Sequence, residues 1–396
     1  MSDLVARSGV TGRRSLAAAG VALALLVAGC GSASSSSSTV NAAATGSSTA
    51  GAAASTTASS KKHVTIAIAM TQNSVPYYET AQLGAQAAGP QEGNAKVVVQ
   101  GPVNPLGGAV ATVAQNLETS LNPDGFGVNP CVLAEWTQVI NSISRAVPDG
   151  NILSWNCKPA ASASAANTSP VKTFVGASDF QTGEAATKAA VTAAHLGPQT
   201  TGTALLAECA LGVPTLTDRR AGALAEIKKL LPKVTPVLWV SNPYDAGALT
   251  AWTSALEKYQ HVVYASGACD QDSSALSSLK ARGSAGNIAV ATIDPDAQEL
   301  GQIEDGKISA GVASAPWVVA NVATRLLIRH ARGDSMPTGW VDTGLYPITK
   351  ANAAQWLTAT KSPAQAQALF APLADTVLSN LQANTRPMAD AYAYAG

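Results

Sequence analysis

From residue 64 onward the chain repeats one unit, a short run of consecutive apolar residues followed by a longer Ala/Leu-rich stretch in which apolar positions recur at helical spacing. The apolar runs predict strands at 64–69, 95–100, 125–128, 152–155, 204–207, 237–240, 262–265 and 288–293. The stretches between them predict helices at 78–88, 109–121, 134–146, 183–194, 217–231, 246–259, 274–281 and 297–305. Strands that are apolar throughout, rather than alternating, suit a parallel sheet covered on both faces. The order therefore predicts an α/β, doubly wound fold. Such sheets bind ligands outside the carboxyl ends of their strands. The residues that follow the predicted strands are Asn73, Tyr77 and Tyr78, then Asn129 and Cys131, Asn156 and Cys157, Cys209, Asn242-Pro243-Tyr244-Asp245, Cys269 and Asp270, and Asp294. The segment TQNSVPYYET, residues 71–80, sets two tyrosines behind a proline at such an end, as either core or a platform for something flat.

The chain has 396 residues, 46% of them hydrophobic, enough for a sizeable core and, at roughly 100–200 residues per domain, for about two domains. Formal net charge is zero with 13% charged residues. Without a basic excess, nucleic acid and anionic membrane surfaces are poor partners, which leaves a small or neutral ligand.

The first residues change the picture. Arg7, Arg13 and Arg14 precede an apolar run from Leu16 to Leu26 and then Val27-Ala28-Gly29-Cys30. That order reads as a secretory signal peptide, too short for a membrane span. Small residues directly before a cysteine resemble the lipobox of bacterial lipoproteins, which implies that Cys30 becomes the lipidated first residue of the mature chain. The alternative is a cleaved signal that happens to contain a cysteine. Residues 31–60 are almost entirely Ser, Ala, Thr and Gly. Such a stretch buries too little apolar surface to offset its ordering entropy, so it predicts a disordered tether.

Four cysteines remain, Cys131, Cys157, Cys209 and Cys269. Outside the cytoplasm an even count favours disulfides, with three possible pairings. No pair has Cys-x-x-Cys spacing and His63, His195, His261 and His330 are scattered, so neither a metal nor a cofactor is expected. Catalysis is not expected either. The folded part has no Gly-x-Ser-x-Gly elbow, and Gly125-Phe126-Gly127 lacks the third glycine of a dinucleotide loop. Asp270 with Asp272, and Asp294 with Asp296, are close in sequence rather than opposed across a scissile bond.

An ordered series of motifs then resembles the type I periplasmic binding proteins, the ribose/galactose-type solute receptors of ABC importers. The series is Pro76-Tyr77-Tyr78, Phe174-Val175-Gly176-Ala177-Ser178-Asp179 with Gly183, Asp218-Arg219 with Gly222, Asn242-Pro243-Tyr244-Asp245, Ile293-Asp294, and Ile303-Glu304-Asp305-Gly306-Lys307 followed by Ala315-Pro316-Trp317. The resemblance runs from about Val64 to Trp356. It implies two similar doubly wound parallel-sheet lobes joined by three hinge crossovers, near Ser178–Asp179, Ser314–Ala315 and Val341–Asp342, that close around a ligand. The implied organisation is a signal peptide over 1–29 and a tether over 30–61. An N-terminal lobe of 62–178 plus 315–341 and a C-terminal lobe of 179–314 plus 342–360 follow, with an extension over 361–396 whose stretch 364–381 looks helical.

By this resemblance Tyr77 and Tyr78 stack on a sugar ring, whose C–H face suits the negative face of an aromatic ring, and Tyr244 supplies the opposite side of a clamp. Arg219 and Asp294 match the family's ligand arginine and aspartate, which bind adjacent hydroxyls because each hydroxyl both donates and accepts. Asn73, Asn156 and Asp270 are further ligand candidates. The chain departs from the family at Ser314, where sugar receptors often carry glutamine, at Cys269, where they carry asparagine, and at Asn156-Cys157, where an Asp-Arg pair is usual. The fold it implies also pairs Cys131 with Cys157 and Cys209 with Cys269, each bridge within a lobe. The resemblance thus implies a monomeric, extracytoplasmic, lipid-anchored protein that captures a small polar ligand, sugar-like above all, for an ABC permease. Alternatives are a surface lipoprotein that signals to a membrane partner and a secreted hydrolase. The repressors built on this fold lack a signal peptide and carry a helix-turn-helix that this chain does not.

Overall fold

A computed structural model of the chain describes residues 61–104, 108–131, 133–159, 169–241 and 247–392. The expected signal peptide, Cys30, all of the tether but its last residue, and Tyr244 lie outside the described residues, as does the side chain of Asp270.

The strands, in chain order, are β1 (Val64–Ala69), β2 (Ala95–Gln100), β3 (Gly125–Val128), β4 (Ile152–Trp155), β5 (Thr173–Gly176), β6 (Gly202–Glu208), β7 (Val234–Val240), β8 (Val262–Gly267), β9 (Ala289–Ile293), β10 (Ala310–Ala313), β11 (Gly339–Asp342), β12 (Tyr346–Ile348) and β13 (Thr385–Arg386). They form two sheets, ordered β13-β11-β5-β4-β3-β1-β2 and β12-β10-β9-β8-β6-β7. All pairings are parallel except two at the edges, where β13 runs antiparallel to β11 and β12 to β10. Each sheet is the centre of one lobe.

The main helices are α1 (Pro76–Glu92), α2 (Ala109–Leu121), α3 (Leu133–Ala146), α4 (Asp179–Ala193), α5 (Pro214–Leu230), α6 (Gly247–Lys258), α7 (Asp270–Ala281), α8 (Ala297–Glu304), α9 (Pro316–His330), α10 (Ala353–Ala359) and α11 (Pro363–Ser379). Strands β3, β4, β5, β9 and β10 are buried along their whole length, in keeping with sequences that are apolar except for Ser154, Thr173 and Thr292. The chain passes from one sheet to the other after β5, after β10, between β11 and β12, and once more between β12 and β13, one passage beyond the three that the resemblance implies.

Small residues bring helix pairs close in both lobes. In the first, α1 crosses α9 where a side chain at Gly84 would stand 2.1 Å from the carbonyl oxygen of Trp317, and Asn321 donates to the Gly84 carbonyl at 2.8 Å. In the second, α4 crosses α5 at Gly183 and Gly222, where an added Cβ would lie 1.9 Å from the carbonyls of Arg219 and Phe180 respectively.

Helix α9 was not expected from periodicity. Residues from Pro316 through Ile328 are all buried, so its sequence has no polar face to mark a helical period. The two-residue and three-residue edge strands were likewise too short to stand out. Helix α10 packs on α8 of the second lobe, and the extension continues the fold, since its α11 packs on α10 and on α9 of the first. Phe370 of α11 stacks on Trp317 at 6.1 Å between ring centroids and meets Trp356 edge-on at 5.4 Å. No described helix is long and apolar enough to cross a membrane.

Candidate functional site

The strand ends of the two lobes face one another, and between them lies a cavity of about 110 Å³. Thr71, Gln72, Val75, Tyr77, Tyr78, Asn156 and the Cys131–Cys157 disulfide line it from the first lobe. Val213, Thr215, Leu216, Arg219, Gln271 and the Cys209–Cys269 disulfide line it from the second. Both bridges join neighbouring strands of one sheet just past their carboxyl ends, β3 to β4 and β6 to β8.

The tyrosines are set by the start of α1. Val75 is extended, and Pro76 occupies the first helical position, where its fixed φ fits and its missing N–H is not needed. Tyr77 and Tyr78 then fall in the first turn, both buried, with ring centroids 5.1 Å apart and the planes edge to face. Tyr78 rests edge-on against the buried Trp155 at 6.3 Å. The Tyr77 hydroxyl donates to Asn156 Oδ1 at 2.6 Å, and Asn156 Nδ2 lies 3.5 Å from the Tyr78 hydroxyl. Asn156 holds this bridging position with φ at 63°, a left-handed conformation that asparagine tolerates better than most residues. Burial, aided by the negative charge of Asp294, pushes the Tyr77 hydroxyl well above its ordinary pKa, so it stays a donor.

On the opposite wall Arg219 is buried at the base of α5. Its Nε donates to Asp179 Oδ1 at 3.3 Å, Nη1 donates to the Ala268 carbonyl at 3.4 Å, and Nη2 lies 3.6 Å from Asp294 Oδ2. Its neighbour Arg220 turns the other way and pairs with Glu208 at 3.2 Å, which separates the roles of the two arginines. Burial raises both of Arg219's carboxylates, Asp179 to about 6, against the lowering effect of the guanidinium.

The remaining predicted residues have other placements. Asp294, at φ 51°, accepts from the Ser314 backbone N–H at 2.6 Å and from the Ser314 hydroxyl at 2.8 Å, which ties it to the β10–α9 crossover. It lines a second, larger cavity of about 470 Å³ that Tyr77 also borders, bounded by α1, the start of α8 and the extension. Ser314 is buried and lines neither cavity. Asn73 is exposed, and its backbone N–H donates to the Pro102 carbonyl at 2.9 Å. Asp270 opens α7 beside Cys269.

Sequence reasoning did not single out Thr71, Gln72, Val75, Thr215 or Gln271. All but Thr215 were within reach of the strand-end rule, since Thr71, Gln72 and Val75 directly follow β1 and Gln271 follows β8 by a few residues. Cys209, Cys269 and Asp272 bring three metal-ligand atoms within 4.8 Å of one another, but the disulfide occupies both sulfurs.

The arrangement offers a clamp rather than a reaction centre, with an aromatic and amide platform on one lobe facing a guanidinium and hydroxyl on the other. The fold matches an ABC transporter periplasmic solute binding protein from Actinobacillus succinogenes, solved with bound D-allose, at TM-score 0.64 and 19% identity over 74% of this chain and 99% of that one. An ABC transporter solute binding protein from Agrobacterium vitis, bound with α-D-tagatopyranose, matches at 0.64 and 20% identity over 78% and 99%. One from Mycobacterium smegmatis, with bound glycerol, matches at 0.63 and 20% over 74% and 96%. No protein with a curated description is significantly similar in sequence. The profile of the periplasmic binding protein domain aligns with residues 66–335, well over half of the chain. This chain therefore belongs to the periplasmic binding protein family, a family of solute-binding proteins rather than enzymes, and carries its type I fold.

Proposed function

We propose that this chain is the extracytoplasmic, lipid-anchored solute receptor of an ABC importer, and that it captures a small polar ligand, a sugar or polyol, between its lobes. The observation that carries the reading is the aromatic pair Tyr77-Tyr78 with Asn156 at the carboxyl ends of β1 and β4, facing Arg219 across the cleft cavity. The face of an aromatic ring suits the C–H surface of a sugar, and the amide and guanidinium supply hydroxyl partners. Tyr244 is the proposed second aromatic of the clamp, and Asn73, Asp270, Asp294 and Ser314 are proposed to join the polar contacts as the lobes adjust. The bound sugars and glycerol of the structural neighbours support a polyhydroxylated ligand. The sequence Val27-Ala28-Gly29-Cys30 supports a lipid anchor at Cys30, and the Ser/Ala/Thr tether would let a monomeric receptor reach a permease from it.

A thermal-shift screen of the full chain against D-allose, D-tagatose, glycerol, nucleosides and amino acids tests the ligand class, because a binder raises the melting temperature by mass action. A shift with a sugar or polyol is expected. A shift only with nucleosides or amino acids would replace the sugar reading.

A further inference from the structure

One contact crosses between the lobes beside the cleft and involves the far end of the chain. Lys158 directly follows Cys157 in the first lobe and is buried. Its Nζ lies 2.5 Å from Asp218 Oδ2 on α5 of the second lobe. The same ammonium donates to the Ala391 carbonyl at 2.9 Å and stands 5.4 Å from the centroid of the Tyr392 ring. Tyr392 in turn donates its hydroxyl to the Pro159 carbonyl at 2.5 Å. One residue earlier, the Thr215 hydroxyl of α5 donates to the Cys157 sulfur at 3.6 Å, a second bond between lobes at the cavity wall.

The tail arrives there by a defined route. After α10 on the second lobe and α11 on the first, β13 adds to the edge strand β11, with Trp340 opposite Arg386. The turn Met388–Tyr392 then covers Lys158. A lysine ammonium is a flexible point charge with three donors. Here the tail provides one acceptor and an aromatic face, and these leave the ammonium directed at Asp218. Neither tail contact depends on the second lobe, so both persist while the lobes part. The rotamer entropy that Lys158 would lose on closing is then already lost in the open form, and closure gains by that amount. The facing charges are Asp218 itself and, farther off, Asp179, whose carboxyl also feels the lysine.

We propose that Lys158 is a latch that holds the two lobes together through Asp218, and that C-terminal residues 388–392 position it for that role. The ligand's identity does not enter, so the test uses none. Spin labels on cysteines introduced at the exposed Gln115 and Lys228, one per lobe, in the full chain with Cys30→Ser, report the distance between lobes by pulsed electron resonance. Lys158→Met should raise the ratio of long-distance to short-distance population by about tenfold, as should Asp218→Asn and truncation after Pro387, with no further rise when truncation is combined with Lys158→Met. Tyr392→Phe, which keeps the tail and loses one hydrogen bond, should give a smaller rise. An unchanged distribution in Lys158→Met overturns the latch. An unchanged distribution in both the truncated chain and Tyr392→Phe, or full additivity of truncation with Lys158→Met, overturns the role of the tail.

Discussion

Tyr78 and Tyr77 separate two contributions that a sugar clamp combines. Tyr78→Ala removes a ring that borders the cavity and should weaken ligand binding more than tenfold, about 1.4 kcal/mol or more, as read by calorimetry; Tyr244→Ala should do the same if it closes the clamp. Tyr77→Phe keeps the ring but leaves Asn156 Oδ1 without its 2.6 Å donor, so the folded state should lose roughly 1 kcal/mol in a denaturant melt. Asp272, like Asp179, carries a share of the pH dependence of the second lobe. Burial pushes its carboxyl up to about 6, although Trp252 Nε1 donates to it at 2.8 Å. Because the folded pKa is raised, the favourable contribution is complete below the ordinary carboxylate range and is lost as pH rises through 6. Asp272→Asn should therefore gain on the wild type as pH rises from about 3 to about 7, by up to about 3 kcal/mol in all, of which roughly 1 kcal/mol falls between pH 5 and pH 7. A difference that stays flat across that range would show that Asp272 ionises normally. At this scale the strand-end rule singled out Tyr77, Tyr78 and Asn156, because each follows a strand, and the family resemblance singled out Arg219, which lies within α5. The sequence could not show that Asp294 turns to the Ser314 crossover, because that depends on a φ of 51° that no local pattern announces.

Helices were legible where their periodicity met water on one side and apolar core on the other, and strands where short apolar runs stood between them. Helices α2 and α3 and strands β1 through β4 follow their apolar patterns closely. Helix α9 did not, because burial on every side erases the period, and β5 was read only as part of a motif. The glycines Gly183 and Gly222 were visible as motif residues, and their reason is steric, since α4 and α5 touch backbone to backbone there. Gly222→Ala should thus cost about 1–3 kcal/mol by forcing the helices apart. Gly301, within α8, has nothing within 4 Å of where its Cβ would be, so Gly301→Ala should stabilise by roughly 0.5–1 kcal/mol through helix propensity. Opposite signs in matched melts are the expected outcome, and equal effects would refute the close-crossing account. The disulfides act at the same scale. They close separations of 26 and 60 residues within one sheet each, and replacing either pair with alanines should remove roughly 3–4 kcal/mol, slightly more for Cys209–Cys269.

The folded part is two sheets between which the chain passes four times, with both disulfides at facing strand ends and neither linking the lobes. That leaves relative motion of the lobes to these passages, the Lys158–Asp218 contact and the extension, whose α11 packs on α9 of the first lobe and α10 of the second. A receptor of this construction works by differential affinity, since a ligand stabilises the closed form only by as much as it prefers it. Calorimetric titration of the full chain with D-allose, D-tagatose and glycerol tests the central claim most directly. The account predicts saturable one-to-one binding of at least one of these neutral polyhydroxylated ligands, weakened more than tenfold in a folded Tyr78→Ala variant. Absence of binding by all three, or unchanged affinity in that variant, would contradict it.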